Sequence, residues 1–338
     1  MKVSVAVVAY NEAETLPRLL EDLRRQDYPH EQLEILLIDS GSTDQTRKLM
    51  EAFAQSQGDF ARVAVLDNPN KTLPYGCNVA LAAYTGDAIV RIDAHGSVPP
   101  EFISKDVALL ESGEHVCGGA RPNIIDGTTP WKETLLAAEQ SMFGSSIASY
   151  RSGKEKKYVS SIFHGMYRRE VYDRVGLYDV RLTRTEDNDM SYRIQKAGYR
   201  IRYDPEIVSY EHTRSSLKGM LRQKYLNGYW IGRTMYINSK CFSLFHFVPL
   251  GFVLGIVLTA VLALLGLPLL GICMWGMYLA LVVLMTVLEC VRGKFVPCKL
   301  LLPGIFLLLH LSYGVGTLWG LIRGLFAKKT RGENREDA

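Results

Sequence analysis

From residue 242 to residue 323 the chain is overwhelmingly Leu, Val, Gly, Phe and Ile, in three runs at 243–265, 267–291 and 300–322. Each is long enough to cross a hydrocarbon layer that takes about 20 helical residues. Runs of this length with almost no charge must be buried on every side or placed in lipid, and their near lack of charge favours lipid. Residues 1 to 240 mix charged, polar and apolar side chains as a water-soluble domain does. The sequence therefore divides into a domain at 1–240, transmembrane helices at 241–323 and a basic, polar tail at 324–338.

Lys240 ahead of the first run, and Arg292, Lys294 and Lys299 between the second and third, place the soluble domain and that loop on the cytoplasmic side of a multi-pass protein. The tail residues Arg323, Lys328, Lys329, Arg331 and Arg335 would face outward if the third run crosses once. Pro303, Gly304, His310, Gly314 and Gly316 make that run irregular, so a crossing and a re-entrant path both stand.

The net charge of +4 is too mild for a nucleic-acid partner, and no Lys/Arg stripe interleaved with aromatics is present. Six scattered cysteines without a Cys-x-x-Cys pair indicate neither zinc nor a disulfide framework, which fits a reducing compartment. The opening apolar run at 3–9 is too short for a secretory signal and reads as a first buried strand.

Strand-like apolar runs at 3–9, 33–38, 63–66 and 89–92 alternate with helical patterns at 16–23, 46–53 and 75–84. Such units predict an α/β domain with a mostly parallel central sheet covered on both faces, with ligands beyond the carboxyl ends of the strands. Asn11 and Glu12, Asp39, and Asp93 with His95 directly follow strand ends, so they are expected along one rim. Alternation turns Asp93 and His95 to the same side, where a carboxylate and an imidazole can meet one small cation. A carboxylate at Asp39 can accept from a pyrimidine N–H or a ribose hydroxyl, and Asn11 supplies donors and acceptors. No Gly-x-x-x-x-Gly-Lys-Ser/Thr loop is present.

The strings Val8-Ala-Tyr-Asn-Glu12, Ile38-Asp-Ser-Gly-Ser-Thr-Asp44, Asn78 with Gly86-Asp87, and Ile92-Asp-Ala-His95 resemble the nucleotide-sugar half of the family 2 glycosyltransferases. The likeness covers residues 1 to about 240, and is greatest to bacterial exopolysaccharide enzymes of the succinoglycan glucosyltransferase type. It implies a GT-A fold and a UDP-sugar donor, with Ala9, Asn11, Glu12 and Asp39 around the uridine, Asn78 among the nucleotide contacts, and Asp93 near ribose and metal. Most members of the family have a second Asp where this chain has His95. Imidazole suits manganese and is poor for magnesium, so the exchange points to Mn2+ ahead of Mg2+.

Further on, Gly118-Gly119 allows either a bend or a close approach of backbone to substrate, and 128–157 reads as a mobile acceptor-side loop. The resemblance places Gly165 under the donor sugar and makes Asp187 of the Glu186-Asp187 pair the general base, with Glu186 orienting or touching the acceptor. His212 ends another strand and is a candidate metal or diphosphate contact. Arg222 to Arg233 forms a basic, aromatic helix suited to diphosphate or lipid headgroups. It lacks the Gln-x-x-Arg-Trp string of processive synthases, which favours addition of one sugar per encounter.

These readings describe a single-displacement, inverting, metal-dependent transferase of the inner membrane. It would move one sugar from UDP to a lipid-linked glycan in bacterial surface-polysaccharide assembly. The alternatives are transfer to polyprenyl phosphate itself, and an inactive nucleotide-binding membrane scaffold.

Overall fold

The computed structural model describes residues 1–56, 58–144, 153–292 and 295–333. Lys294, Arg335, the side chains of Lys328, Lys329 and Arg331, and stretch 145–152 of the expected acceptor loop lie outside the described residues. In chain order the elements are β1 (Val3–Ala9), α1 (Leu16–Arg24), β2 (Leu33–Asp39), α2 (Thr46–Ser56), β3 (Arg62–Asp67), α3 (Leu73–Ala83), β4 (Ala88–Asp93), β5 (Gly96–Ser97), α4 (Phe102–Glu111), β6 (Val116–Ala120), β7 (Asn123–Ile124) and α5 (Pro130–Gln140). There follow β8 (Lys157–Val159), β9 (Met166–Arg168), α6 (Arg169–Val175), α7 (Glu186–Lys196), β10 (Ile201–Val208), β11 (Tyr210–His212), α8 (Leu217–Thr234), α9 (Val248–Leu264), α10 (Leu269–Val291) and α11 (Leu302–Glu333).

By packing, the chain forms two compact units, one of residues 1–122 and 149–212, the other of 123–148 and 213–338. The compositional division at 240 differs from this one because α8 packs with α11.

The first unit is built on an eight-stranded sheet in the order β3-β2-β1-β4-β9-β6-β10-β8. β1 pairs in parallel with β2 and β4, β2 with β3, and β6 with β10. β9 and β8 run against their neighbours. The central strands are apolar on both faces because helices cover both. Val3, Val5 and Val7 enter one core with Leu16, Leu19 and Leu23 of α1 and Phe102, Ile103 and Leu110 of α4. Ala6 enters the other with Ile38, Tyr172, Met190 and Tyr203. The 16, 19, 20, 23 spacing of the α1 leucines turns them all to the sheet.

Glu34 is the exception on β2, a fully buried carboxylate in the sheet. Ser4 Oγ donates to it at 2.5 Å, the Thr85 N–H at 2.8 Å and Arg62 Nη1 at 3.0 Å. Burial favours its neutral form, but these donors outweigh that and lower its pKa.

In the second unit, α9 and α10 are joined by a turn at Gly266, whose φ of 83° needs a residue without a side chain. Both expose large apolar residues such as Leu258, Leu264, Ile272 and Leu279. A smaller core joins Leu135 and Ala138 of α5, Met220 of α8, and Leu302, Ile305, Phe306 and Leu309 of α11.

Candidate active site

The parallel register sets the strand ends level. Ala9 pairs with Asp39, Asp39 with Asp67, and Val8 with Asp93. The loops after β1 and β2 are tied together. Asn11, at φ 55°, accepts at Oδ1 from the Thr43 N–H (2.8 Å) while its own N–H donates to Ser42 Oγ (3.0 Å). Asn tolerates this left-handed backbone better than most residues. Asp39 Oδ1 accepts from the Ser42 N–H at 3.2 Å, and the Ala9 carbonyl from the Ser40 N–H at 2.9 Å. The structure thus brings Ala9, Asn11, Glu12 and Asp39 to one rim with Asp93 and His95, as the strand-end argument expected.

Strand β9 determines what else arrives there. It lies antiparallel between β4 and β6, with Met166 opposite both Val90 and Cys117. The residues entering β9, Phe163 and His164, therefore reach the carboxyl ends of β4 and β6. Arg121 lies over the Phe163 ring at 3.8 Å and Arg91 at 5.7 Å. Asp93 Oδ2 takes a bond from Arg121 Nη2 at 3.0 Å, and Arg91 Nε stands 3.8 Å from Oδ1. Arg91 Nη1 donates to Glu186 Oε1 at 3.1 Å, and Arg121 Nη1 lies 3.6 Å from Glu211 Oε2. One chain of charge therefore joins the end of β4 to the start of α7.

The proton affinities follow from these contacts. Burial opposes the charge on Asp93, but Arg91 and Arg121 hold its carboxyl well below the usual range. Burial and the nearby Arg121 push His164 down to about 4. A neutral His164 fits its bond, since Nε2 accepts the Asp93 N–H at 3.1 Å. Burial raises both Glu186 and Asp187, and Arg91 offsets part of the rise. Two adjacent carboxyl groups facing one guanidinium out of water do not ionise together, so the pair holds a proton above the normal range. His164 Nδ1 and Glu186 Oε2 are buried without a hydrogen-bond partner among the described residues.

His95 Nδ1 lies 3.2 Å from Glu12 Oε1. Burial works against a charged His95, yet Glu12 and Asp93 raise its pKa overall. The pairing leaves Nε2 for an ion, the usual arrangement of a ligating histidine whose second nitrogen is held by a carboxylate. In the β5–β11 ladder Tyr210 faces Ser97 and Glu211 faces Gly96. The ladder ends at that second pair, and His212 Nε2 is 3.2 Å from Ser97 Oγ. One carboxylate and two imidazoles make a donor set suited to a transition ion such as Mn2+. Among the described residues no three such side chains are already grouped around one point; the Asp93 carboxylate meets Arg121 instead.

Other expected residues have different surroundings. Asn78 spends both ends of its amide on Tyr178, donating to the carbonyl at 2.9 Å and accepting from the N–H at 2.8 Å. Gly165 lies against β6, where a Cβ would come 3.1 Å from the Cys117 carbonyl, and 2.5 Å from Ile162 Cγ2 beside it. The backbone approached at Gly119 is that of β10, since a Cβ there would meet the Ile207 carbonyl at 1.9 Å. Asp189 is paired with Arg193 at 2.8 Å within α7.

The sequence reading missed Arg91, Arg121, Phe163, His164 and Glu211. Arg91 did carry a signal, because an arginine inside the apolar strand Ala88-Ile-Val-Arg-Ile-Asp93 requires buried acidic partners.

Residues 4–176 match the family model described as Glycosyl transferase family 2. Over 329 residues, 95% of this chain and 98% of the other, the sequence is 23% identical to a Methanococcus voltae protein. That relative is named dolichyl N-acetyl-alpha-D-glucosaminyl phosphate 3-beta-D-2,3-diacetamido-2,3-dideoxy-beta-D-glucuronosyltransferase. The sequence is 29% identical over 232 residues, 68% of each chain, to the succinoglycan biosynthesis protein ExoA of Rhizobium meliloti (strain 1021). Among solved structures, the mannosyltransferase PcManGT of Pyrobaculum calidifontis, in complex with GDP-Man and Mn2+, matches 94% of this chain and 87% of its own at a TM-score of 0.63 and 20% identity. That likeness establishes the fold, a GT-A sheet followed by helices.

Proposed function

The chain belongs to glycosyl transferase family 2, and from that membership we propose an inverting enzyme that moves one sugar from a UDP-sugar to a lipid-linked glycan at the cytoplasmic face of the inner membrane. The observation that carries this reading is the charged chain Asp93–Arg91–Glu186, which couples the nucleotide rim to the acid pair at the start of α7, Glu186 buried and Asp187 half-buried.

In this reading the Asp39 carboxylate accepts from the pyrimidine N–H, while Asn11 and Glu12 border the uridine. Arg91 and Arg121 supply positive potential beside Asp93 where the diphosphate develops charge. Asp93, His95 and His212 would hold a divalent ion, Mn2+ ahead of Mg2+. Held there, it would supply positive charge to offset that of the departing diphosphate. Asp187 accepts the proton of the acceptor hydroxyl at a carboxylate oxygen as that hydroxyl attacks the anomeric carbon from the face opposite UDP. A single displacement inverts the configuration. Glu186, held by Arg91, positions the acceptor side. The lipid-linked acceptor is supported by the name of the Methanococcus relative, whose substrate is a dolichyl phosphate sugar, and by helices long and apolar enough to cross a membrane.

The test is transfer of labelled sugar from UDP into lipid extract by the full-length protein. Asp187→Asn should lower the rate by about 10²- to 10⁴-fold with UDP affinity unchanged. An active Asp187→Asn protein would remove the assigned base. A labelled polyprenyl monophosphate sugar would replace this reading by transfer to the carrier lipid itself.

A further inference from the structure

Helices α8 and α11 run parallel and pack together over the whole length of α8. At one end Leu217, Met220 and Leu221 pack with Leu302, Ile305, Phe306 and Leu309. Towards the other end small residues let the backbones touch. A Cβ on Gly316 would lie 2.2 Å from the Tyr225 carbonyl, one on Gly228 2.1 Å from the Tyr313 carbonyl, and one on Gly320 2.0 Å from the Tyr229 carbonyl. On Gly232 it would meet the Thr317 carbonyl at 2.3 Å, and on Gly324 the Tyr236 ring at 2.2 Å. Residue numbers rise together on both helices, which fixes the parallel sense.

That sense restricts the path through a membrane. If α8 crossed, the α9–α10 hairpin would return the chain to the side where α8 ends, and α11 would have to run antiparallel to α8. If α8 does not cross, α11, packed along it from first turn to last, remains on the same side. Neither path lets α11 cross beside α8.

We infer that the chain crosses the bilayer twice, by α9 and α10, and that α8 and α11 lie together in the plane of the membrane, their partner being the headgroup zone of an anionic lipid surface. The inference rests on the membrane attachment proposed above. The composition of the pair fits that location. Lys218 and Arg222 are exposed on α8, while Leu308, Val315 and Trp319 are exposed on α11. Tyr225, Tyr229, Trp230, Tyr236, Tyr313 and Trp319 are spread along the pair, whereas a spanning helix gathers such residues at its two ends. In α11, 39% of the apolar stretch is buried within the protein, against 11% in α9 and in α10. The basic tail then stays on the side of the other Lys and Arg residues, and its conflict with the positive-inside rule disappears.

The experiment uses the full chain with a reporter fused after Ala338 and, separately, Leu267→Cys in a background in which the native cysteines are Ser. A fluorescent-protein fusion that fluoresces, an inactive alkaline phosphatase fusion, and labelling of the Leu267→Cys chain on intact cells by an impermeant maleimide are expected. Active phosphatase with position 267 labelled would overturn the in-plane placement of α11 alone. Lack of labelling at 267 would overturn the two crossings together with the membrane reading.

Discussion

The Arg91 guanidinium holds Glu186, its Nη1 standing 3.1 Å from Glu186 Oε1 across 95 positions of the chain. Burial raises the proton affinity of the Glu186-Asp187 pair, and Arg91 opposes that rise. A base must be ionised to act, so removing the cation should move the acid limb of kcat/KM to higher pH. Arg91→Met is expected to show that shift and at least about a tenfold loss near neutral pH, with Arg91→Lys recovering the profile in part. A uniform loss at every pH would make Arg91 merely structural.

His95 is held by Glu12 at Nδ1 in the manner of a metal ligand. Replacing imidazole with carboxylate should shift the preferred ion from Mn2+ toward Mg2+. Isothermal titration of His95→Asp with each ion in the presence of UDP checks this without turnover. Equal preference in both proteins would exclude His95 from the ligand set.

The rim was legible because each of its residues directly follows an apolar run of strand length, and parallel strands bring such ends together whatever their order. The Arg91–Phe163–Arg121 cluster was not legible in this way. Its assembly depends on β9, three residues that pair antiparallel between β4 and β6 and carry no periodic signal of their own. The Asn11 and Asn78 strings looked equivalent as motifs. Only tertiary structure reveals that Asn11 lies at the rim and that Asn78 is used by the Tyr178 backbone. Likewise the irregularity of the third apolar run was legible but its path was not, and it is Gly228 and Gly232 of α8 with Gly316 and Gly320 of α11 that pack α11 along α8.

Glu34 gives a pH test of the fold apart from the site. Its folded pKa is lowered, so its contribution is fully present above the unfolded value and is lost as pH falls through the folded one. Glu34→Gln should cost about 1–3 kcal/mol at neutral pH, and the difference from wild type should shrink on acidification. Melting temperatures from about pH 3 to about pH 8 measure it. A difference that grew toward acid would contradict the assignment of the charged form to the core.

Lys224 of α8 and Glu139 of α5 form a buried ion pair at 2.7 Å, with side chains 8% and 6% exposed. Each charge is tolerated there because of the other, so removing one leaves the second unpaired out of water. Glu139→Ala should destabilise the helical unit by about 3–5 kcal/mol, read as a lower melting temperature of the full chain in detergent. Removing both charges while keeping the volume, as in Glu139→Leu with Lys224→Met, eliminates two desolvation costs as well as one attraction. The double variant is therefore expected to regain most of the loss and can match the wild type. If instead it melted as low as Glu139→Ala, the pair would contribute net attraction beyond its desolvation, and α5 would owe its attachment to charge more than to Leu135 and Ala138 in the shared core.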